Sequence, residues 1–390
     1  MARRDPYVLV ALHRFMVGWL LFKLAAWAVF LLVFPAMCLA RGLDGFALLL
    51  GLLGLFLDLK AVDLLLSWAR GWAPALRRLM ILYHGGIALA GLVILASPID
   101  PQWTLVAGTE DRGDLTVTWL RDGLVVGSGG GSALLHHTDA GEVRSLDYRG
   151  GPSWILQTAA DDTLWVAPPD HPRIYTLDHA TWTELPRPPG YVRALAPGRT
   201  HVWLVTNSLH VLDRRTNRWA VPDVGEWPTG VALAPDEREV IVVGVRWFTS
   251  PDGLQWTDIT PPDIDDIGRF PEAAIGGGGW RYVFSGGLWS STLHVRGPDD
   301  EIFTPRTPPA SDLRVLVADP HDGRNIYVGT WGEGIHHSAD GGKTWQDLGL
   351  HRIQVRSLAV DFNNSSSPPR IAAGGSNLMF DRGAFLRSLP

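Results

Sequence analysis

The sequence predicts a membrane-anchored all-β protein: three N-terminal transmembrane α-helices followed by a seven-bladed β-propeller. Three observations predict this. Long apolar runs fill the first hundred residues. An Asp-anchored segment then recurs at a spacing of about 40 residues. Each recurrence is accompanied by short apolar runs of the kind that form buried strands. The expected boundaries are 1–100 for the anchor, 101–113 for a linker and 114–390 for the propeller.

The apolar runs cover about 15–40, 44–68 and 77–97, each near the roughly 20 residues a helix needs to cross a bilayer core. The first run is too long for the apolar stretch of a signal peptide, and two more follow it. Arg3, Arg4 and Arg14 precede the first run, and Arg70, Arg77 and Arg78 separate the second from the third. Basic residues stay on the cytoplasmic side, so the expected arrangement is a multi-pass protein of the plasma or another energy-transducing membrane, with its N-terminus cytoplasmic and its propeller outside.

Lys23, Asp58, Lys60, Asp63 and His84 interrupt these runs. Ionisable groups in lipid either form a relay or pair to fix helix register, and both readings stand. Gly51, Gly54, Gly86, Ala90 and Gly91 would let helices approach closely. One cysteine, Cys38, excludes an intrachain disulfide. The chain carries a formal net charge of −6, with the negative excess after residue 100. That balance argues against a nucleic-acid partner.

From about residue 114 the texture is β-rich, broken by Gly, Pro and Asp. The anchors are Asp139, Asp178, Asp213, Asp252, Asp299, Asp340 and Asp381. Upstream lie "LVVGSG", "LWVAPP", "VWLVTN", "VIVVGV", "RYVFSG", "IYVGTW" and "RIAAGG", which read as buried strands. Further back, "VRALAPGRT", "GVALAPDER" and "LRVLVADPHDG" read as strands running into turns. Four strands per unit at this period make a propeller blade.

The stretch "HHSADGGKTW" holds Ser338, Asp340, Gly342, Thr344 and Trp345; "SPDGLQW" holds Ser250, Asp252 and Trp256 in a shorter version. This pattern resembles the Asp-box (BNR-repeat) propellers, which include sialidases, sortilin-type receptors and photosystem II stability/assembly factors. The resemblance implies a structural turn between the third and fourth strands of a blade. Asp and Ser would bond turn amides, Gly would supply the positive-φ position, and Trp would pack between blades. Sialidases in that superfamily carry an Arg-Ile-Pro motif in the first blade. Here the nearest strings are "RFP" at 269–271 and "PRIA" at 369–372, neither in position.

Weaker motifs have ordinary readings. "GSGGGS" is a blade turn, since no helix follows it. "DIDD", with Asp263, Asp265 and Asp266, lacks the spacing of a Ca²⁺ loop. His136/His137 and His336/His337 occupy equivalent blade positions, as repeat ancestry requires. No motif calls for a metal or cofactor.

The best functional feature is an Arg–Trp face. Arg193, Arg314 and Arg356 open first strands, while Arg246, Trp247, Trp289 and Trp331 follow second strands, which end on the same side. Arg and aromatics are the residues enriched at interface hot spots. The resemblance adds an expectation, because the photosystem factors are associated with an arginine-bearing partner face. The expected function is a non-catalytic subunit or assembly factor of a membrane protein complex. A glycan-binding or sialidase-like protein is the alternative.

Overall fold

The computed structural model describes residue 35 and residues 48–53, 73–96, 100–110, 115–129, 133–225, 227–262, 264, 271–287, 290–363, 369–376 and 382–389. Two compact units divide at Pro98 and Ile99. In the first unit the helix Ala73–Ala96 packs against helical residues 48–53. A Cβ added to Gly51 would fall 3.0 Å from the Ala88 amide nitrogen and 3.2 Å from the His84 carbonyl oxygen, so glycine permits this backbone approach. His84 is fully buried, with Tyr83 edge-on to its ring at 5.1 Å.

Among the described residues, no helix is long and apolar enough to cross a membrane. This overturns the expected three-span anchor, and with it the multi-pass location and the lipid contact. Arg77, Arg78 and His84 interrupt the apolar sequence of Ala73–Ala96. The first expected run, apart from residue 35, and the second, apart from residues 48–53, lie outside the described residues. Lys23, Asp58, Lys60 and Asp63 lie outside the described residues.

The second unit is a seven-bladed propeller of four-stranded antiparallel sheets. The chain enters with β1 (Thr104–Leu105). Blade 1 is β2 (Leu115–Leu120), β3 (Gly123–Ser128), β4 (Leu135–Thr138) and β5 (Val143–Ser145). Blade 2 is β6 (Ile155–Thr158), β7 (Leu164–Ala167), β8 (Arg173–Asp178) and β9 (Thr181–Pro186). Blade 3 follows with β10 (Ala194–Pro197), β11 (His201–Val205), β12 (Leu209–Asp213) and β13 (Arg218–Ala220). Blade 4 has β14 (Gly230–Leu233), β15 (Val240–Val243), β16 (Trp247–Ser250) and β17 (Thr257–Asp258).

In blade 5 the strands are β18 (Glu272–Ile275), β19 (Arg281–Gly287), β20 (Ser290–Arg296) and β21 (Thr304–Arg306). Blade 6 comprises β22 (Leu313–Ala318), β23 (Ile326–Thr330), β24 (Ile335–Ser338) and β25 (Gln346–Asp347). Blade 7 closes the ring with β26 (Gln354–Asp361), β27 (Arg370–Ser376) and β28 (Arg382–Ser388), and β1 is its outer strand. The expected linker therefore supplies part of a blade.

The first strand of each blade touches that of the next, and β26 returns to β2. Burial follows from this layering. The second strands β3, β7, β15 and β23 are buried at every residue, because neighbouring blades cover both faces. Outer strands such as β5 are exposed throughout. Among the described residues, seven apolar clusters form the core, one at each blade boundary. Side chains alternate between the two faces of a strand, so each blade feeds two boundaries.

Candidate interaction face

Antiparallel blades put first-strand entries and second-to-third connections at one end, and third-to-fourth hairpins at the other. The anchors Asp139, Asp178, Asp213, Asp252, Asp299 and Asp340 all fall at the hairpin end. In blade 6 the Ser338 hydroxyl donates to Asp340 Oδ1 (2.8 Å) and accepts from Gly342 N (2.8 Å). Asp340 Oδ1 also accepts from Lys343 N (3.0 Å) and Thr344 N (2.9 Å), and Oδ2 accepts from the Thr344 hydroxyl (2.7 Å). Gly342 has a φ of 83°. These bonds, the Thr344 hydroxyl foremost, hold the Asp340 carboxyl far below the usual range.

Blade 4 repeats the arrangement. Asp252 Oδ1 accepts from Leu254 N (2.8 Å) and Gln255 N (2.9 Å), while Ser250 Oγ takes Gly253 N (2.8 Å). Trp345 and Trp256 pack against the 5/6 and 3/4 boundary clusters. Each carboxylate is thus bonded by its own turn and has a structural task.

The opposite end gathers part of the expected Arg–Trp face. Register shifts in both β22 and β26 relative to their partners. Leu313 pairs Thr330 and Val315 pairs Gly329, leaving Arg314 as the extra residue. Val355 pairs Gly375 and Ser357 pairs Gly374, leaving Arg356 in the same position one blade on. Both arginines therefore sit on β-bulges, which re-aim a side chain out of the ladder. Trp331 lies between them, with the Arg314 guanidinium 4.3 Å and that of Arg356 5.7 Å from its ring.

Asp312 orients the first of these arginines: Arg314 Nη2 donates to Oδ2 (3.2 Å), and Nε lies 3.0 Å from Oδ1. The Asp312 carbonyl accepts from Trp331 N (3.0 Å). Glu333 fastens the entry loop by accepting from Ser311 N (3.0 Å) and Oγ (2.9 Å).

The remaining candidates do not join this cluster. Trp247 is fully buried, edge-on to His294 (5.2 Å) and Phe303 (5.4 Å) in the 4/5 core, so its expected place on the face is corrected. Arg246 pairs with Asp258 and covers Phe248. Arg193 is exposed, and its amide bonds the Val205 carbonyl in an unbroken ladder (2.9 Å). Trp289, Asp263, Asp265, Asp266 and Asp381 lie outside the described residues. Among the described residues, no group of three or more His, Cys, Asp or Glu side chains gathers as a metal site would require.

No family model matches this sequence, and no curated protein matches it. Solved structures do. YCF48 bound to D1 peptide superposes with a TM-score of 0.54 at 14% identity, over 75% of this chain and 99% of that one. YCF48 from Cyanidioschyzon merolae gives 0.51 at 14%, over 74% and 99%. A catalytically inactive virginiamycin B lyase from Staphylococcus aureus, solved with quinupristin, gives 0.57 at 11%, over 74% and 99%. The likeness is one of fold. Binding proteins and enzymes share this architecture, and function rests on the site each carries.

Three residues at this end escape the sequence reading. Trp154, Tyr191 and Trp227 stand just upstream of β6, β10 and β14 and are exposed. The available signal was an aromatic preceding the first strand of consecutive units, in "SWIL", "YVRAL" and "WPTGVAL".

Proposed function

We propose that the propeller is a non-catalytic interaction module, a subunit or assembly factor that docks a polypeptide segment of a larger protein complex. The observation that carries this reading is the pair of arginine bulges bracketing Trp331. Two adjacent blades spend a register irregularity on the same residue type, and an indole lies between the two cations. Such Arg–aromatic constellations are the common anchors of protein interfaces. The self-bonded turns of Asp340 and Asp252 support membership among Asp-box propellers, and the structure of YCF48 with D1 peptide offers a precedent for peptide docking on this fold.

The test is affinity capture of the full chain from its native host, with mass spectrometry of what co-purifies. Arg314→Ala with Arg356→Ala, and separately Trp331→Ala, are expected to reduce partner recovery by about tenfold or more, the scale of a hot-spot loss. Thermal melting would show the variants still folded. Undiminished recovery from both variants would remove the reading.

A further inference from the structure

One arginine fastens the connection from blade 2 to blade 3, residues 187–192. Arg187 is partly buried and donates to three carbonyls: Nη2 to Pro169 (2.9 Å), and Nη1 to Pro188 (2.8 Å) and Gly190 (2.8 Å). The amides of Arg187 and Val192 bond the carbonyls of Pro172 (3.2 Å) and Pro169 (3.1 Å). Both ends of the segment are thereby tied to the β7–β8 connection, and Val192 enters the 2/3 core. The three acceptors of the guanidinium are all main-chain carbonyls, and its Nε is buried without a partner among the described residues.

This clasp meets His210 through Thr206. A Cβ on Gly190 would lie 3.0 Å from Thr206 Cβ, and Thr206 Oγ1 is 2.9 Å from His210 Nε2. Both Thr206 and His210 are buried. His210 Nδ1 is also shut from solvent and has no partner among the described residues. A neutral imidazole can leave one nitrogen as an unused acceptor, whereas an imidazolium carries a hydrogen on both. Protonation would strand a buried donor at Nδ1 and add a second cation within reach of Arg187, and both are costly.

Alternation along β12 puts His210 on the side of Leu212, which belongs to the 2/3 cluster. Across that boundary β7 carries no charge. Glu184 pairs Tyr175 and, with Arg173, shares its 1/2 face. Asp161, Asp178, His201, Asp213, Arg214 and Arg218 stand at the opposite, hairpin end. At the near end His171 turns to Tyr175 (3.3 Å), Asp223 bonds Gly225 N (3.2 Å), and Asp170 acts on Arg187 and, with Arg193, on Tyr191. Burial first, and then the Arg187 charge, pull His210 below its ordinary 6.5.

We propose that residues 187–192 form an acid-released clasp, in which protonation of His210 breaks its fit against Thr206 and Arg187 and frees the segment from the propeller. The closed form keeps His210 neutral, and the open form hydrates it and restores its ordinary affinity for a proton. Closure is therefore fully favoured above pH 6.5 and weakens below it, by up to about tenfold per pH unit. The repeat supplies its own control. His294 holds the same position in blade 5 and is lowered by burial alone, with no arginine acting on it.

Hydrogen-exchange mass spectrometry of the full chain at pH 7.5 and 5.5, corrected for the intrinsic pH dependence of exchange, tests this. Protection at the Arg187, Val192 and Arg193 amides is expected to fall by about fivefold to tenfold at the lower pH, while β15 keeps its own. His210→Gln retains a hydrogen-bonding group toward Thr206 but takes no proton, so its segment should stay protected at both pH values. His294→Gln should respond as the parent chain does, and Arg187→Gln should be open at both. Equal protection at the two pH values in the parent chain, or opening that persists in His210→Gln, would overturn the proposal. Loss of protection in all seven blades together would also overturn it, because that is acid unfolding and not local release. If His210→Gln does not fold, as thermal melting at pH 7.5 would show, the parent chain and Arg187→Gln decide.

Discussion

Glu272 opens β18, on the innermost layer of blade 5, and its Oε2 is shut from solvent without a partner among the described residues. Inner strands reach across to their neighbours: Ser357 Oγ accepts from Val117 N (3.0 Å), and the Glu272 carboxyl accepts from the Leu316 amide. A neutral hydroxyl suits that role, whereas a carboxylate there must lose its hydration. Burial therefore pushes the Glu272 carboxyl up to about 8, despite the bond from Leu316. A raised carboxyl pKa stabilises the fold fully below the unfolded value of 4.5 and progressively less as pH rises toward 8. Each intervening pH unit is worth up to about 1.4 kcal/mol. Glu272→Gln keeps the acceptor and abolishes the titration. Its melting temperature should match that of the parent chain near pH 4 and exceed it at pH 8; parallel curves would refute the burial argument. None of this was legible in "RFPEAAI", because burial and the bond from Leu316, a residue of blade 6, come from the assembled ring. Trp247 shows the same limit. Four residues of β16 do not fix which phase of the alternation points inward, so the sequence could not tell a core Trp from one on the face.

The third strands share a device. "LHH", "LHV", "LHV" and "IHH" place His136, His210, His294 and His336 at the second position, and all four are buried. In two blades the imidazole meets a hydroxyl beyond the second strand's paired residue: His210 Nε2 lies 2.9 Å from Thr206 Oγ1, and His294 Nε2 lies 3.4 Å from Ser285 Oγ. His336 meets the Glu333 carbonyl (3.0 Å), and His136 in blade 1 lies 3.2 Å from Asp122. Burial, more than any neighbour, pulls His210, His294 and His336 below the ordinary 6.5; Arg187 adds to the fall at His210, while Asp347 opposes it at His336. A depressed imidazole contributes its full stability above 6.5, and the loss grows as pH falls below it. The acid limb should steepen by up to about 1.4 kcal/mol per pH unit for each histidine. The triple variant His210→Gln, His294→Gln, His336→Gln should flatten the melting-temperature curve between pH 6.5 and 5, and an unchanged slope would exclude these residues as the cause. The repeat that makes them equivalent was readable from spacing. The bulges at Arg314 and Arg356 were not, although "LRVL" and "VRSL" align, because a bulge exists only in register with its partner strand.

At the scale of the molecule, the period of the repeat was visible and its frame was not. Asp381 had been expected in the last third-to-fourth hairpin, yet β28 is the third strand of blade 7 and the fourth is β1, from the start of the second unit. A two-residue strand carries no alternation, so β1 left no trace in the sequence pattern. Its hold is nonetheless dense. Trp103 is buried in the 6/7 cluster and donates Nε1 to the Leu348 carbonyl (2.8 Å). Val106 N bonds the Ala384 carbonyl (2.8 Å), and the Thr109 hydroxyl accepts from Ala384 N (3.1 Å). Across the same seam Arg370 bridges Asp139 and Asp361, both at 2.6 Å, and covers Trp119 at 4.4 Å. Gly374 admits the Leu115 carbonyl where a Cβ would sit 2.3 Å away. A ring closed by its two ends should fail as a ring, because opening one seam exposes the facing strands of two blades at once. Trp103→Ala removes the anchor of β1 at a cost of about 3–5 kcal/mol. Hydrogen exchange should then quicken in β27, β28 and β2, well beyond the substitution. Trp219→Ala serves as control: its indole caps the 2/3 boundary and bonds the Pro186 carbonyl (2.9 Å), away from the seam. Its faster exchange should stay within blades 2 and 3. If Trp103→Ala also changes only its immediate surroundings, the seam is not what keeps the propeller closed.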